Sequence, residues 1–320
     1  MPEPQFIQLH RTRSAELAAE AVAGLLLNEP TVSPKFLYDA LGSRLFDAVT
    51  ELDEYYPTRT EAAIFNQHRA EIAAAVLQQT GAAPTLVDLG AGNCAKAAAW
   101  FEALAPRAYV PLDISVDFLR QAVMALQRQH PHMLMTGVGL DFSAQLALPA
   151  GLIDGPTLVF YPGSSIGNFS PDAALRLLRE ARALAAGGAL LIGVDLVKPA
   201  AVLEPAYDDA LGVTAAFNLN LLNHLNRLIG SNFNVRDWRH RAVYNQALSR
   251  IEMHLHARHD VGVRWAGGER HFAQGSGLHT ENSYKWQRAD FAALLGDAGF
   301  RRVQSWTDAQ AWFGVLLASD

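Results

Sequence analysis

The chain has 320 residues, half of them apolar, enough to bury one large core or two smaller ones. A formal net charge of −6 gives no electrostatic ground for binding a polyanion such as nucleic acid, so a small-molecule partner is expected. The single cysteine, Cys94, excludes an intramolecular disulfide; the first residues lack a basic-then-apolar leader, and no uncharged apolar run approaches the roughly 18–20 residues of a membrane span, so a cytoplasmic protein with no membrane partner is expected.

Residues 15–26 are alanine-rich and helix-forming. At residues 55–61 the chain reads Tyr-Tyr-Pro-Thr-Arg-Thr-Glu, where Pro57 is expected to interrupt one helix and Thr58 or Thr60 to cap the next, which reaches about residue 79. Strand-like and helical runs then alternate: strands at 85–89, 109–113, 133–138, 157–160 and 189–196, with helices at 96–104, 116–130 and 171–186. Such alternation predicts parallel strands joined by crossover helices, with ligands at the strands' carboxyl ends. From residue 198 the rhythm changes. One or two helices are expected over 207–229, strands at 249–258 and 261–265, a helix at 285–298 and closing strands at 302–307 and 313–318. The expected organisation is a substrate-binding lid domain of residues 1–60 plus 198–286 and a cofactor-binding domain of residues 61–197 plus 287–320.

The sharpest local feature is Leu-Val-Asp-Leu-Gly-Ala-Gly-Asn-Cys-Ala-Lys at residues 86–96. An apolar strand runs through Gly90 and Gly92 into a helix, which lets the backbone approach a ligand and offers it free N–H donors. The third glycine of the dinucleotide fingerprint is missing, so a nicotinamide or flavin site is a poor match. Asp113 ends the next strand about twenty residues on, where a carboxylate can accept ribose hydroxyls. Asp141 and Phe142 follow the third strand, an acceptor for an adenine amino group and a ring to stack on it. This spacing is the layout of Rossmann-like methyltransferases, whose cofactor is an adenosyl sulfonium. Among eleven histidines, His254 and His256 alternate and His271 and His279 lie nearby, without a cysteine or carboxylate at ligand spacing, and no metal is expected.

Several separated stretches resemble the histidine Nα-methyltransferases of ergothioneine biosynthesis. They are Tyr-Asp-Ala-Leu-Gly-Ser-Arg-Leu-Phe-Asp at 38–47, Glu-Tyr-Tyr-Pro-Thr-Arg-Thr-Glu at 54–61, Gly-Ser-Ser-Ile-Gly-Asn at 163–168, residues 206–218, Ile-Glu-Met at 251–253 and Thr-Glu-Asn-Ser at 280–283. The resemblance runs over nearly the whole chain. It implies a Rossmann-like class I methyltransferase, an α/β doubly wound sheet with a second, smaller α+β lid domain. It also implies an enzyme that moves three methyl groups in turn from S-adenosylmethionine to the α-amino group of L-histidine, through the mono- and dimethylated forms, to hercynine; a monomer is expected. On the same ground Gly90, Lys96, Asp113, Asp141 and Phe142 contact the cofactor. Tyr55, Gly163, Asn168 and Tyr207 hold the amino acid's backbone end, with Tyr38 near the reacting nitrogen; Tyr38, Tyr55 and Asn168 are the residues assigned to catalysis. Met253, Glu281 and Ser283 line the imidazole pocket. The chain departs from its relatives at Gly-Ala-Gly-Asn-Cys, where many carry a serine-rich loop, and around Ser283, flanked here by Asn282 and Tyr284.

The chemistry fits these residue types. Methyl transfer from a sulfonium depends on holding an amine lone pair in line with the breaking bond, and such placement can supply about 7–11 kcal/mol. Acceptors are needed for the remaining N–H bonds, which the Asn168 amide oxygen and the Tyr55 or Tyr38 hydroxyl provide. As the methyls accumulate, the aromatic faces of Tyr38, Tyr55 and Tyr56 suit a quaternary ammonium. Glu281 and Ser283, two apart on a strand, face one side and can satisfy both imidazole nitrogens. Two rival readings keep the cofactor: another aromatic amino acid such as tryptophan as acceptor, against which the Glu281 carboxylate argues, and a non-catalytic S-adenosylmethionine-binding protein.

Overall fold

The computed structural model describes residues 3–9 and 14–320. In chain order its strands are β1 (Gln5–Gln8), β2 (Thr85–Leu89), β3 (Ala108–Asp113), β4 (Leu134–Gly139), β5 (Thr157–Tyr161), β6 (Ala189–Asp195), β7 (Trp238–Asn245), β8 (Arg250–Ala257), β9 (Val261–Trp265), β10 (Gly268–Phe272), β11 (Gly277–Tyr284), β12 (Arg302–Thr307) and β13 (Phe313–Ser319). They belong to two compact units.

The first unit comprises β1, Pro57–Val197 and Lys285–Asp320. Its eight-stranded sheet runs β1-β4-β3-β2-β5-β6-β13-β12, with β1 to β6 parallel and β13 antiparallel to both β6 and β12. Strands β2, β5 and β6 are buried at every residue, because apolar layers cover both faces of the sheet. The period of two sorts their side chains. Val87, Val159 and Ile192 meet Leu177, Leu178 and Leu295 on one face; Leu86, Leu158 and Leu191 meet Ile72, Val76 and Trp100 on the other. This is the doubly wound α/β sheet expected from the sequence.

Several expected boundaries move. Residues 3–9 and 57–60 stand with the first unit, not with the lid: β1 pairs in parallel with β4, and the Phe6 ring lies where a Cβ on Gly137 would be 2.8 Å from it. Lys285 and Trp286 also fall in the first unit. Pro57 does not interrupt a helix; it occupies the first turn of Tyr56–Gln67, where its missing N–H costs nothing, and a second helix, Arg69–Thr80, follows a break at His68. The helix expected at 96–104 is two short ones, Ala95–Ala98 and Phe101–Leu104. Cys94 holds the left-handed conformation (φ 63°) just before the first of them, and Ala95 stands where the dinucleotide fingerprint has its third glycine.

Within the first unit the chain leaves β6 and returns at Lys285 through a small clasp. Trp286 N–H donates to the Asp195 carbonyl (3.1 Å) and Val197 N–H to the Trp286 carbonyl (3.0 Å). The Lys285 ammonium and the Asp195 carboxylate pair at 2.7 Å, both fully buried.

The second unit comprises residues 14–56 and Lys198–Tyr284. The helix Val213–Ile229 packs against the helices Ser14–Leu25 and Ala40–Thr50 and against β7 and β8 of an antiparallel sheet ordered β11-β8-β7. Strand β7 went unread in the sequence, although Trp238 and Ala242 face in while Arg239 and Arg241 face out. Helix Val213–Ile229 starts later than expected because Asp209 takes its first amides, accepting from Val213 N (3.0 Å) and Thr214 N (2.7 Å), which leaves Tyr207 in the preceding loop. Asp39 caps Ala40–Thr50 by accepting from Gly42 N (2.7 Å) and also accepts from Asn220 Nδ2 (2.7 Å). A Cβ on Gly42 would stand 1.7 Å from the Leu37 carbonyl oxygen, so only glycine fits there.

Candidate active site

In the first unit the carboxyl ends of β4, β3, β2 and β5 are neighbours, and the expected cofactor residues gather there. Gly90 and Ala91 N–H groups both donate to the Leu112 carbonyl (2.9 and 3.0 Å), which folds the loop over the end of β3. Gly90 (φ 70°) and Gly92 (φ 52°) are both left-handed. Asp113 then clamps the loop: Oδ2 accepts from Gly92 N (2.9 Å) and Oδ1 from Ser115 N (2.8 Å). Burial raises its pKa against these stabilising amides. Asp141 accepts from the Ser143 amide (3.1 Å) and the Ser143 hydroxyl. Phe142 lies beside Gly90, where a Cβ would stand 3.8 Å from its Cζ, and meets Tyr161 edge-on at 5.8 Å.

Beneath this edge lies Asp88, fully buried on β2, an acid the sequence reading passed over. Tyr109 Oη donates to its Oδ2 (2.7 Å), while Oδ1 is buried with no hydrogen-bond partner among the described residues. Burial, first of all, pushes its pKa up to about 7. The motif Asp-Leu-Gly-Ala-Gly contained it; an acid inside an otherwise apolar strand was the available signal.

Lys96 and Gly163 are joined by a second unread acid. Glu61, 1 % exposed, accepts from Lys96 Nζ through Oε2 and from Gly163 N through Oε1, each at 2.7 Å. It shares its helix face with buried Ile64 and Phe65, and a carboxylate at that spacing in an apolar stripe was the signal. Asn168 ends the short turn Ser165–Asn168 and is half-buried.

In the second unit a line of rings joins the expected tyrosines. Tyr38 meets Phe217 and Phe46 at 5.5 and 5.6 Å between centroids, Phe46 meets Tyr55 at 6.2 Å, and Tyr55 meets Tyr207 at 6.0 Å, all edge-on. Phe46 and Phe217 lie in the stretches quoted for the resemblance but were given no role. The Tyr207 hydroxyl and Ser283 Oγ share a hydrogen bond of 2.8 Å. Tyr56 is buried, its hydroxyl accepting from Lys198 Nζ (2.8 Å). The Tyr207 carbonyl accepts from His240 Nε2 (2.7 Å), and His240 Nδ1 accepts from Asn218 Nδ2 (2.9 Å); burial lowers the imidazole pKa and keeps it neutral.

Strand β11 carries a bulge that sets its inner face. Leu278 opposes Leu255 and His279 opposes His254, but the register shifts before Glu281, which opposes Met253, while Ser283 opposes Ile251. Simple alternation from buried Leu278 would turn Thr280, Asn282 and Tyr284 inward. The extra residue instead turns Glu281 and Ser283 to the side of buried Met253 and Ile251. Thr280 Oγ1 donates to the Met253 carbonyl (3.0 Å) and fixes the bulge. Outside it, the His254 and His279 rings lie 4.9 Å apart. Among the described residues no group of three or more His, Cys, Asp or Glu is arranged to hold a metal ion, and no helix is long and apolar enough to cross a membrane.

Comparison with known proteins agrees in kind. A family described as "Histidine-specific methyltransferase, SAM-dependent" matches residues 17–320. A histidine N-alpha-methyltransferase of Mycolicibacterium smegmatis is 40 % identical over 317 residues, covering 95 % of this chain and 97 % of the relative. One of Mycobacterium tuberculosis is 38 % identical over 311 residues, covering 95 % and 94 %. Ergothioneine biosynthesis protein 1 of Neurospora crassa is 32 % identical over 296 residues, 88 % of this chain and 32 % of that longer protein.

Proposed function

The chain belongs to the family of histidine-specific, SAM-dependent methyltransferases, and from that premise we propose that it methylates the α-amino group of L-histidine three times to give hercynine, a step of ergothioneine biosynthesis. The observation that carries the reading is the inner face of β11, where a bulge aims a carboxylate and a hydroxyl, Glu281 and Ser283, to one side beside Met253. That pair matches the two nitrogens of an imidazole, and a buried carboxylate has no use for an indole.

The residues present fit S-adenosylmethionine. Gly90 leaves open backbone beside the Phe142 ring, Asp113 and Asp141 bring carboxylates to adjacent strand ends, and Lys96 supplies a cation for the cofactor's carboxylate. When bound, the cofactor supplies an electrophilic methyl group on a sulfonium. The chain's own task is placement. In the first unit we assign Gly163 and Asn168 to the backbone end of the amino acid, the Asn168 amide oxygen accepting an N–H and turning the nitrogen lone pair. In the second unit we assign Tyr55 and Tyr207 to that end and Tyr38 to the reacting nitrogen. A free α-amino group has a pKa near 8, so the neutral amine is accessible without a strong base. As N–H donors disappear, the ring line Tyr38–Phe46–Tyr55 offers π faces to the growing cationic charge.

The test is incubation with labelled S-adenosylmethionine and each amino acid in turn, read by mass spectrometry. A trimethylated product with histidine alone is expected. Equal transfer to tryptophan moves the assignment to an aromatic amino acid methyltransferase, and transfer to nothing moves it to a binding protein. Glu281→Ala is expected to weaken histidine binding and relax selectivity.

A further inference from the structure

We propose that Glu61 is a positioning residue that couples cofactor binding at Lys96 to amino-acid binding at Gly163. The proposal rests on the functional reading above for the roles of those two residues. The socket itself is a matter of distances. Three elements of the first unit converge on this carboxylate: the helix after β2 through Lys96 Nζ (2.7 Å), the loop after β5 through Gly163 N (2.7 Å), and β6 through Gly193. A Cβ on Gly193 would stand 2.0 Å from Glu61 Oε1, so the strand leaves room for the acid only because that residue is glycine. Gly163 (φ 80°) lies on the other side of the ion pair, with a Cβ there 3.1 Å from Lys96 Nζ.

A carboxylate 1 % exposed is retained only with full partners, and Glu61 divides its two oxygens between the Lys96 ammonium and the Gly163 amide. The Lys96 side chain is 39 % exposed and keeps donors for another anion. When the carboxylate of the cofactor reaches Lys96, the ammonium is shared, the negative charge on Glu61 is less neutralised, and its hold on the Gly163 N–H strengthens. The Gly163 peptide plane is thereby fixed for the amino acid. Linkage makes the effect reciprocal: each ligand tightens the other by one factor.

Calorimetric titration of L-histidine, with and without saturating S-adenosylhomocysteine, measures that factor. For the wild type a tightening of at least about tenfold is expected; for Glu61→Gln, which keeps shape and drops charge, less than about threefold. In turnover, the Glu61→Gln KM for histidine should rise about tenfold while the cofactor KM changes less than threefold, since Lys96 keeps its charge. A merely structural glutamate would lower both affinities together or only the melting temperature. If Glu61→Gln lacks a cooperative melt, Glu61→Asp decides: it keeps the charge but withdraws the oxygens by one methylene, and its coupling must also fall. Wild-type binding of both ligands without coupling, or coupling unchanged in the folded variant, overturns the proposal. Failure of the wild type to bind histidine at all would instead overturn the functional reading.

Discussion

The crevice at the ends of β2 to β5 and the inner wall of the second unit are built from different materials. In the crevice the backbone dominates: Gly90 and Ala91 amides fold the loop, and the Gly92 and Ser115 amides fix Asp113. In the wall the side chains dominate: ring edges from Tyr38, Phe46, Tyr55, Tyr207 and Phe217, and a hydroxyl pair between Tyr207 and Ser283. A backbone site depends on where strands end, which topology dictates. A side-chain wall depends on which residues meet, and a few substitutions can re-aim it.

The crevice should therefore answer to charge more strongly than the wall. Asp88 makes the sharpest test. An acid whose folded pKa of about 7 exceeds the ordinary 3.8 binds more protons folded than unfolded between those values, so its contribution falls as pH rises through that window. Asp88→Asn removes the titration while its amide oxygen still accepts from Tyr109. Its stability relative to wild type should improve by about 3 kcal/mol between pH 5 and pH 8, measured by denaturant unfolding. A difference independent of pH would show that Asp88 is an ordinary carboxylate.

Asp113→Ala comes next. It removes the loop clamp and the proposed ribose acceptor together, and S-adenosylhomocysteine affinity should drop by about 2 kcal/mol, near thirtyfold, in calorimetry. Unaltered affinity would mean that the loop holds its shape without the clamp. The wall should respond least. Ser283→Ala frees the Tyr207 hydroxyl and is expected to raise the histidine KM about fivefold, on the order of 1 kcal/mol, with kcat nearly kept. A large fall in kcat instead would tie Ser283 to the reacting end and erase the contrast between the two regions.

This difference in material explains what could be read from the chain. Gly90, Asp113 and Asp141 could be placed at strand ends because the strands recur at regular intervals and each announces itself by an apolar run. The parallel sheet followed from the same rhythm. Glu61 and Asp88 escaped because their partners lie far along the sequence, and burial of an acid is visible only once Lys96, Gly163 or Tyr109 stands beside it. Strand β1 is four residues long and gains its place only from β4. The Glu281 and Ser283 pairing was visible as a spacing of two, but the face it occupies depends on the bulge, which alternation cannot anticipate. Asp209 delayed a helix whose apolar periodicity pointed to an earlier start.

The clasp of Asp195, Val197, Lys285 and Trp286 carries a consequence for how such a protein diversifies. Both passages of the chain are tied at one spot inside the first unit, so residues 198–284 form a cassette whose ends stay put whatever its length. Lengthening a tethered loop is cheap, about 0.6 kcal/mol per doubling. The cassette can be exchanged, grown or trimmed while the sheet of the first unit keeps its register, a route by which one α/β frame can carry different insertions.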